Sequence, residues 1–286
     1  MREILYLFRA HRDPSRVYRL MRDFDQLRHK MESLSGETPE SKSVLDIGPG
    51  PFLIQSLLFA SLGNKVTAMD LDVIPLGLDI GAYIRMLRTN GIGRAAKTVA
   101  RKILGIDSAY RKTLAHELGA RRFPHIRILQ GDATSMSFED CQFDIVHCNS
   151  VLHHVLNPAA ALAEMVRVVR PGGLAYASLH CYTSYNGSLD PRVMTENPNE
   201  NLYWGHLRNS LRGVTAGNAV LNKLRVHEWK ELFETIWPGC ELQTVNSQRS
   251  GIGGMAESFI SSGDIQGYTV EELLCHHIDV LWQKPK

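Results

Sequence analysis

The stretch "SVLDIGPGPFLIQSLLFASLGNKVTAMDLD", residues 43 to 72, restricts the fold more than any other part of the chain. The apolar run "VLDIG" reads as a buried strand, and Gly48 and Gly50 then turn the backbone where a side chain would collide with anything approaching it. "FLIQSLLFASLG" has a helical period and stops at Gly63, and "KVTAMDLD" is a second strand ending in carboxylates. Strand, glycine turn, helix, strand, acid is the opening half of a doubly wound α/β sheet.

The alternation continues. "IRILQGD", "FDIVHCN" and "LAYASLH" read as strands, with the helix "PAAALAEMVRVVR" closed by "PGG" between the last two. A helix at "VHEWKELFETIW", a strand at "ELQTVNS", a loop containing "SGIGG", a short helix begun by a Thr269–Glu272 capping box and a final strand "HIDVLWQKP" complete the pattern. Ahead of the sheet, Val17, Leu20, Met21, Phe24, Leu27 and Met31 recur at helical spacing, with Asp13 as cap and Pro14 at the first position. Residues 1–42 are therefore expected to form a helical extension. The link between the second and third strands is too long for one crossover helix. It predicts an insertion at 73–124, helical over "IGAYIRMLRTNG" and "GRAAKTVARKILG". Residues 181–225 are irregular, and a loop of that length inside a domain is usually functional.

Of the 286 residues 44% are apolar and 22% charged, the balance of an ordinary globular protein. No apolar run reaches the roughly 20 residues of a membrane span, and "MREILYLFRAHRD" lacks the long apolar core of a signal peptide. The expectation is a cytoplasmic protein with no integral membrane association. Five scattered cysteines without a CxxC pair predict reduced thiols and no zinc. The net charge of +2 is close to neutral, yet residues 85 to 122 carry ten Lys and Arg against Asp107 and Glu117. Arg94, Lys97, Arg101 and Lys102 lie in that basic segment.

A dinucleotide fingerprint needs a third glycine where this chain has Leu53. The ordered set "VLDIGPG", "VTAMDLD", "GDATSMSFEDCQFDIVHCNSVLHHV" and "VVRPGG" instead resembles the class I S-adenosylmethionine-dependent methyltransferases, in their small-molecule, type 11-like branch. The resemblance covers residues 43–180 apart from the insertion, and "HIDVLWQKP" is similar to that family's last, antiparallel strand. It implies a seven-stranded, mostly parallel sheet over 43–286, S-adenosylmethionine as cofactor, and an acceptor covered by residues 181–225. Carried over by motif, Asp46, Gly48 and Gly50 contact the cofactor's amino-acid end and sulfonium. Asp70, beside Leu71, receives the ribose hydroxyls; Asp132 receives the adenine amino group; the Ala133 N–H meets the ring; and Asn149 lies beside the methyl group. Asp46 could equally brace the turn. Pro51 and Phe52 depart from the small residues usual in the family.

Methyl transfer from a sulfonium is an in-line displacement, and a base is needed only where the acceptor loses a proton. His153 and His154 follow the fourth strand. His180 ends the fifth strand, and His206 sits in the irregular segment with Tyr203 and Trp204 as an aromatic wall. Glu257 is a further candidate, while His227, His276 and His277 read as structural or solvated helix positions. No pair of histidines has helix-borne metal spacing, so no metal is expected. Asn149, Ser150, Val151 and Leu152 stand where nucleobase methyltransferases often carry [ND]PPY, which argues against nucleic acid. The basic insertion argues for an RNA or nucleotide acceptor, for a membrane-surface helix, or simply for a solvated face. The reading favours methylation of a small molecule, at oxygen. The rivals are a nucleic-acid enzyme and a non-catalytic cofactor-binding scaffold.

Overall fold

Parallel strands covered on both faces should be buried through their centres, and residues 44–47, 66–69 and 145–148 are each buried throughout. In the computed structural model, which describes residues 14–75, 80–89, 91–119, 123, 125–195, 197–217 and 219–286, the chain begins with α1 (Pro14–Ser35), β1 (Ser43–Ile47), α2 (Ile54–Ser61) and β2 (Lys65–Asp70). Three helices follow: α3 (Ile80–Thr89), α4 (Ile92–Ile103) and α5 (Ile106–Glu117). Then come β3 (Arg127–Gln130), β4 (Phe143–Asn149), α6 (Pro158–Val168), β5 (Val169–His180), α7 (Val226–Ile236), β6 (Glu241–Asn246), α8 (Ile252–Ser261), α9 (Val270–Leu274) and β7 (Cys275–Gln283). The seven strands lie in the order β3-β2-β1-β4-β5-β7-β6. β1 pairs in parallel with β2 and β4, β2 with β3, and β7 runs antiparallel to β6. This is the doubly wound sheet the motif order implies.

The chain divides into two compact units. The first takes in the residues up to Cys148, with 167–175 and 283–286. Its centre is Val44, Leu45 and Ile47 of β1, Val66, Ala68 and Met69 of β2, and Ile145, Val146 and Cys148 of β4, all buried. α1 buries Val17, Phe24, Leu27 and Met31, and Phe24 meets Phe59 of α2 edge-on at 4.9 Å. The Asp13 cap lies outside the described residues. The insertion holds a third helix, α5, that sequence periodicity did not separate, because Gly105 ends one helix and precedes the next. α5 is held by Tyr110 and Leu114, four apart and both buried.

The second unit takes in 149–166 and 176–282. Residues 181–225 are irregular as expected, with short 3₁₀ turns at Glu200–Leu202 and Asn209–Leu211. Their anchor is a core of Tyr185, Tyr203 and Trp204 with Ile252 and Ala256 of α8 and Leu273 of α9. Buried Asp190 accepts from Arg192 at 2.7 Å and from the Ala216 amide at 2.8 Å, which ties the segment to itself.

Two local expectations are corrected. "SGIGG" is not a loop: after Gly251, at φ 74°, α8 runs through Gly253 and Gly254. Burial of Ile252 and Ala256 on one helical face outweighs the roughly 1 kcal/mol that each glycine costs. "PGG" does not close α6 with a separate turn, since β5 starts at Val169 and passes through it. The Gly172 amide donates to Lys284 O at 2.8 Å, and a Cβ on Gly173 would stand 2.8 Å from the Asp144 carbonyl. The last strand end, not a loop, sets those glycines. Among the described residues no helix is long and apolar enough to cross a membrane.

Candidate functional site

The glycine turn leaves β1 with Gly48 and Gly50 both at φ 63°, a region that strongly favours glycine. The Gly48 amide donates to Met69 O at 2.7 Å, fixing the turn to the end of β2. A Cβ at Gly50 would meet nothing within 4 Å, so the backbone there faces open space. Leu53, buried and at φ 56°, closes the turn into α2. Asp46 points the other way. It is buried, its Oδ1 accepting from His147 Nδ1 at 2.8 Å and its Oδ2 from Ser56 Oγ. Of the two roles open to Asp46, these bonds are those of a brace beneath the turn. His147 stands opposite Asp46 in the parallel β1–β4 register, and its ring meets Phe59 at 5.3 Å. Neither Ser56 nor His147 was singled out from sequence. The available signal was a lone polar residue inside each of two apolar runs.

Two further candidate carboxylates follow the ends of neighbouring strands. Asp70, half-buried, ends β2, and its Oδ1 accepts from the Asp72 amide at 2.9 Å, a local turn that sets the carboxylate's orientation. Leu71 is 69% exposed beside it, its carbonyl accepting from Gln130 Nε2 at 3.1 Å. Beyond β3, the exposed Asp132 accepts from the Thr134 amide and hydroxyl, each at 2.8 Å, and Ala133 is half-buried. A Cβ at Gly131 would come 2.6 Å from Met69 Sδ, so a side chain there would require the buried Met69 to shift. A cavity of about 380 Å³ opens beside Asp72 and Gln130. Acceptor groups of this kind suit the hydroxyls and amino group of an uncharged nucleoside and repel phosphate. S-Adenosylmethionine fits that donor set; a pyrophosphate does not.

Phe52, where the family pattern has a small residue, packs its ring against Tyr110 of α5 at 5.8 Å. The insertion thus touches the glycine turn. Its basic residues are only partly described. Lys102 donates to Pro75 O at 2.5 Å and lies 5.6 Å over the Tyr83 ring, an internal engagement. The side chains of Arg94, Lys97 and Arg101 lie outside the described residues.

The four candidate histidines belong to the second unit. Asn149 ends β4 and accepts from Ser150 Oγ at 3.2 Å. His153, His180 and His276 form a chain of rings, with centroids 6.1 Å apart for the first pair and 4.7 Å for the second. The His180 amide donates to His153 Nδ1 at 3.3 Å, and Ser184 Oγ stands 3.3 Å from His180 Nε2. Burial, aided by neighbouring imidazoles, pushes His153 and His180 down to about 3 and His276 to about 4, so all three are neutral near pH 7. His276 and His277 are not helix residues, since they open β7.

His206 does not use the wall predicted for it. Its Nε2 donates to Tyr182 O at 2.6 Å and its ring meets Tyr182 at 4.7 Å, while Tyr203 and Trp204 are buried in the core. Desolvation lowers its pKa to about 4. His154 differs from the other three candidates in being exposed. Its Nδ1 donates to Val220 O at 2.8 Å, which leaves Nε2 as the lone-pair nitrogen. Glu257 is exposed on α8. A cavity of about 420 Å³ in this unit is lined by His227, Arg225, Lys230 and Glu271 and by none of the four candidate histidines. All five cysteines are free thiols, and Cys181 and Cys275 bring their sulfurs to 3.5 Å. Among the described residues no cluster of three or more His, Cys, Asp or Glu is placed to hold a metal.

A family model described as "Methyltransferase domain" matches residues 87–177, from α3 through β4 into β5. The chain is 32% identical over 155 residues to an uncharacterised 37.1 kDa protein in transposon TN4556 of Streptomyces fradiae, covering 51% of this chain and 42% of that one. It is 30% identical over 175 residues to a ubiquinone biosynthesis O-methyltransferase of Dechloromonas aromatica, covering 59% and 58%. It is 33% identical over 108 residues to a demethylmenaquinone methyltransferase of Paenarthrobacter aurescens, covering 38% and 40%. The chain therefore spans 40% to 58% of the length of these three relatives. The sheet order, the antiparallel last strand and the match of residues 87–177 to a methyltransferase domain together support a class I S-adenosylmethionine-dependent methyltransferase.

Proposed function

We propose that the protein transfers a methyl group from S-adenosylmethionine to an oxygen of a small-molecule acceptor, with His154 as the base. The observation that carries this reading is the fixed tautomer of His154, whose Nδ1–H is held by Val220 O at 2.8 Å while the side chain stays exposed. The names of the ubiquinone O-methyltransferase and demethylmenaquinone methyltransferase relatives support a small, ring-bearing acceptor.

When bound, S-adenosylmethionine supplies an electrophilic methyl group on a sulfonium. The chain's residues do the rest by holding and proton transfer. The glycine turn admits the amino-acid end against bare backbone, Asp70 accepts from the ribose hydroxyls, and Asp132 accepts from the adenine amino group. Asp46, Ser56 and His147 keep the turn in shape from below. His154 Nε2 takes the proton of the acceptor hydroxyl as the oxygen attacks. His153, His180 and His206, neutral and bonded inward, shape the surroundings without adding charge.

The test is methyl transfer from labelled cofactor to a panel of phenols, catechols and amines. His154→Gln should lower kcat on an oxygen acceptor by about 100-fold or more and leave S-adenosylhomocysteine binding unchanged. Equal turnover by the variant would remove His154 from the chemistry. Transfer to amines alone would remove the oxygen assignment.

A further inference from the structure

The insertion presents apolar side chains to water on more than one helix. α3 buries Ala82 and Met86, yet on its opposite side Ile80 is 74%, Ile84 45% and Leu87 50% exposed. At roughly 100° per residue these three lie within about 60° of one another, a second stripe left exposed among the described residues. On α4, which packs against α3, Val99 and Ile103 repeat the i, i+4 spacing, and Ile103 is 79% exposed. Leu104 follows at 43%. Exposed apolar residues scattered singly need no explanation, but paired stripes on adjacent helices do.

The charge around the stripes says what meets them. Residues 85 to 122 hold ten Lys and Arg and two acidic residues, in a protein whose net charge is only +2. Arg88 is exposed on α3 itself, alongside the apolar stripe, and Arg85 is exposed on the flank toward Ala82, where it lines the cavity beside Asp72. Nucleic acid would answer the charge but leave the isoleucines wet, and single-strand binding also wants exposed aromatic faces. The aromatic residues of α3 to α5 are Tyr110, buried, and Tyr83, half-buried beside Lys102. A surface that offers apolar depth and negative charge together is the headgroup region of an anionic bilayer.

We propose that α3 and α4 form a peripheral docking surface for anionic lipid bilayers, with Ile80, Ile84, Leu87 and Ile103 entering the headgroup boundary and the exposed Arg88 beside them, within a basic segment, neutralising lipid charge. The stripe residues Ile80, Ile84, Leu87 and Ile103 are not among the proposed cofactor residues, and the surface does not depend on the chemistry assigned above.

The experiment is sedimentation of the full chain with vesicles of phosphatidylcholine, alone or mixed with phosphatidylglycerol, across a salt series. Binding should require phosphatidylglycerol and weaken with salt. Arg88→Gln should weaken it about fivefold. The pair Ile84→Glu with Ile103→Glu should abolish sedimentation, while far-ultraviolet dichroism and S-adenosylhomocysteine binding stay as in the parent. Failure to sediment with phosphatidylglycerol vesicles overturns the proposal, as does binding that the glutamate pair leaves unchanged. Salt-sensitive binding of a structured RNA by parent and glutamate pair alike, without vesicle binding, would overturn it in favour of nucleic acid.

Discussion

The two units arrange their polar residues in opposite ways. In the first, the cofactor candidates stand at or just beyond the ends of three neighbouring strands, on short turns, with Asp70 half-buried and Asp132 exposed. In the second, His153, His180, His206 and His276 come from segments far apart in sequence and are drawn into the interior. A strand end holds a carboxylate cheaply, because water and backbone amides still reach it. A buried imidazole must surrender its charge to be accommodated. The four buried histidines of the second unit are accordingly held neutral.

Acid should separate the two most sharply. The folded pKa of His153 and His180 is about 3 and that of His206 and His276 about 4, all below the unfolded value of 6.5. The unfolded chain then binds protons that the fold refuses, so stability is fully present above pH 6.5 and is lost as pH falls toward 4. Each such group removes on the order of 3 kcal/mol by pH 4, so the second unit should unfold before that pH in a dichroism titration. His153→Gln should reduce the proton uptake on acid unfolding by about one. An acid transition that begins in the first unit, followed by amide exchange, would break the comparison.

Trp204→Ala should come next, costing about 3–5 kcal/mol in urea unfolding, since the ring is fully buried and its Nε1 donates to Thr183 O at 3.1 Å. Asp70→Ala should cost stability little but lose most S-adenosylhomocysteine affinity, roughly 100-fold by calorimetry, as two charge-assisted hydrogen bonds disappear. Unchanged affinity would remove Asp70 from the cofactor site. The smallest effect is expected at the Phe52–Tyr110 contact. Phe52→Ala and Tyr110→Leu should each weaken cofactor binding a few fold, and the double variant should be no worse than the weaker single one.

What could be read in advance follows the same division. The first unit's frame was legible because β1, the glycine turn and β2 are contiguous, and each strand end announces itself by a polar residue after an apolar run. The brace under the turn was not, since Ser56 and His147 meet Asp46 only through packing and register. In the second unit the irregular character of 181–225 was legible from composition, but the partners of its histidines were not. Tyr182, not Trp204, became the neighbour of His206 because the larger rings are drawn into the core with α8. α8 itself was hidden by two glycines whose propensity the tertiary contacts override.

The ring of Phe52 against Tyr110 has one more implication, and it is thermodynamic. A small residue at position 52 would remove this contact, which makes the cofactor turn and the insertion share free energy. Such sharing is reciprocal: whatever occupant changes the seating of α5 must alter cofactor affinity by the same factor by which the cofactor alters that occupant's hold. The aromatic pair caps the size of that exchange at about tenfold. The residue that departs most from the family pattern is thus also the point through which an event on the insertion would register in the cofactor's dissociation constant.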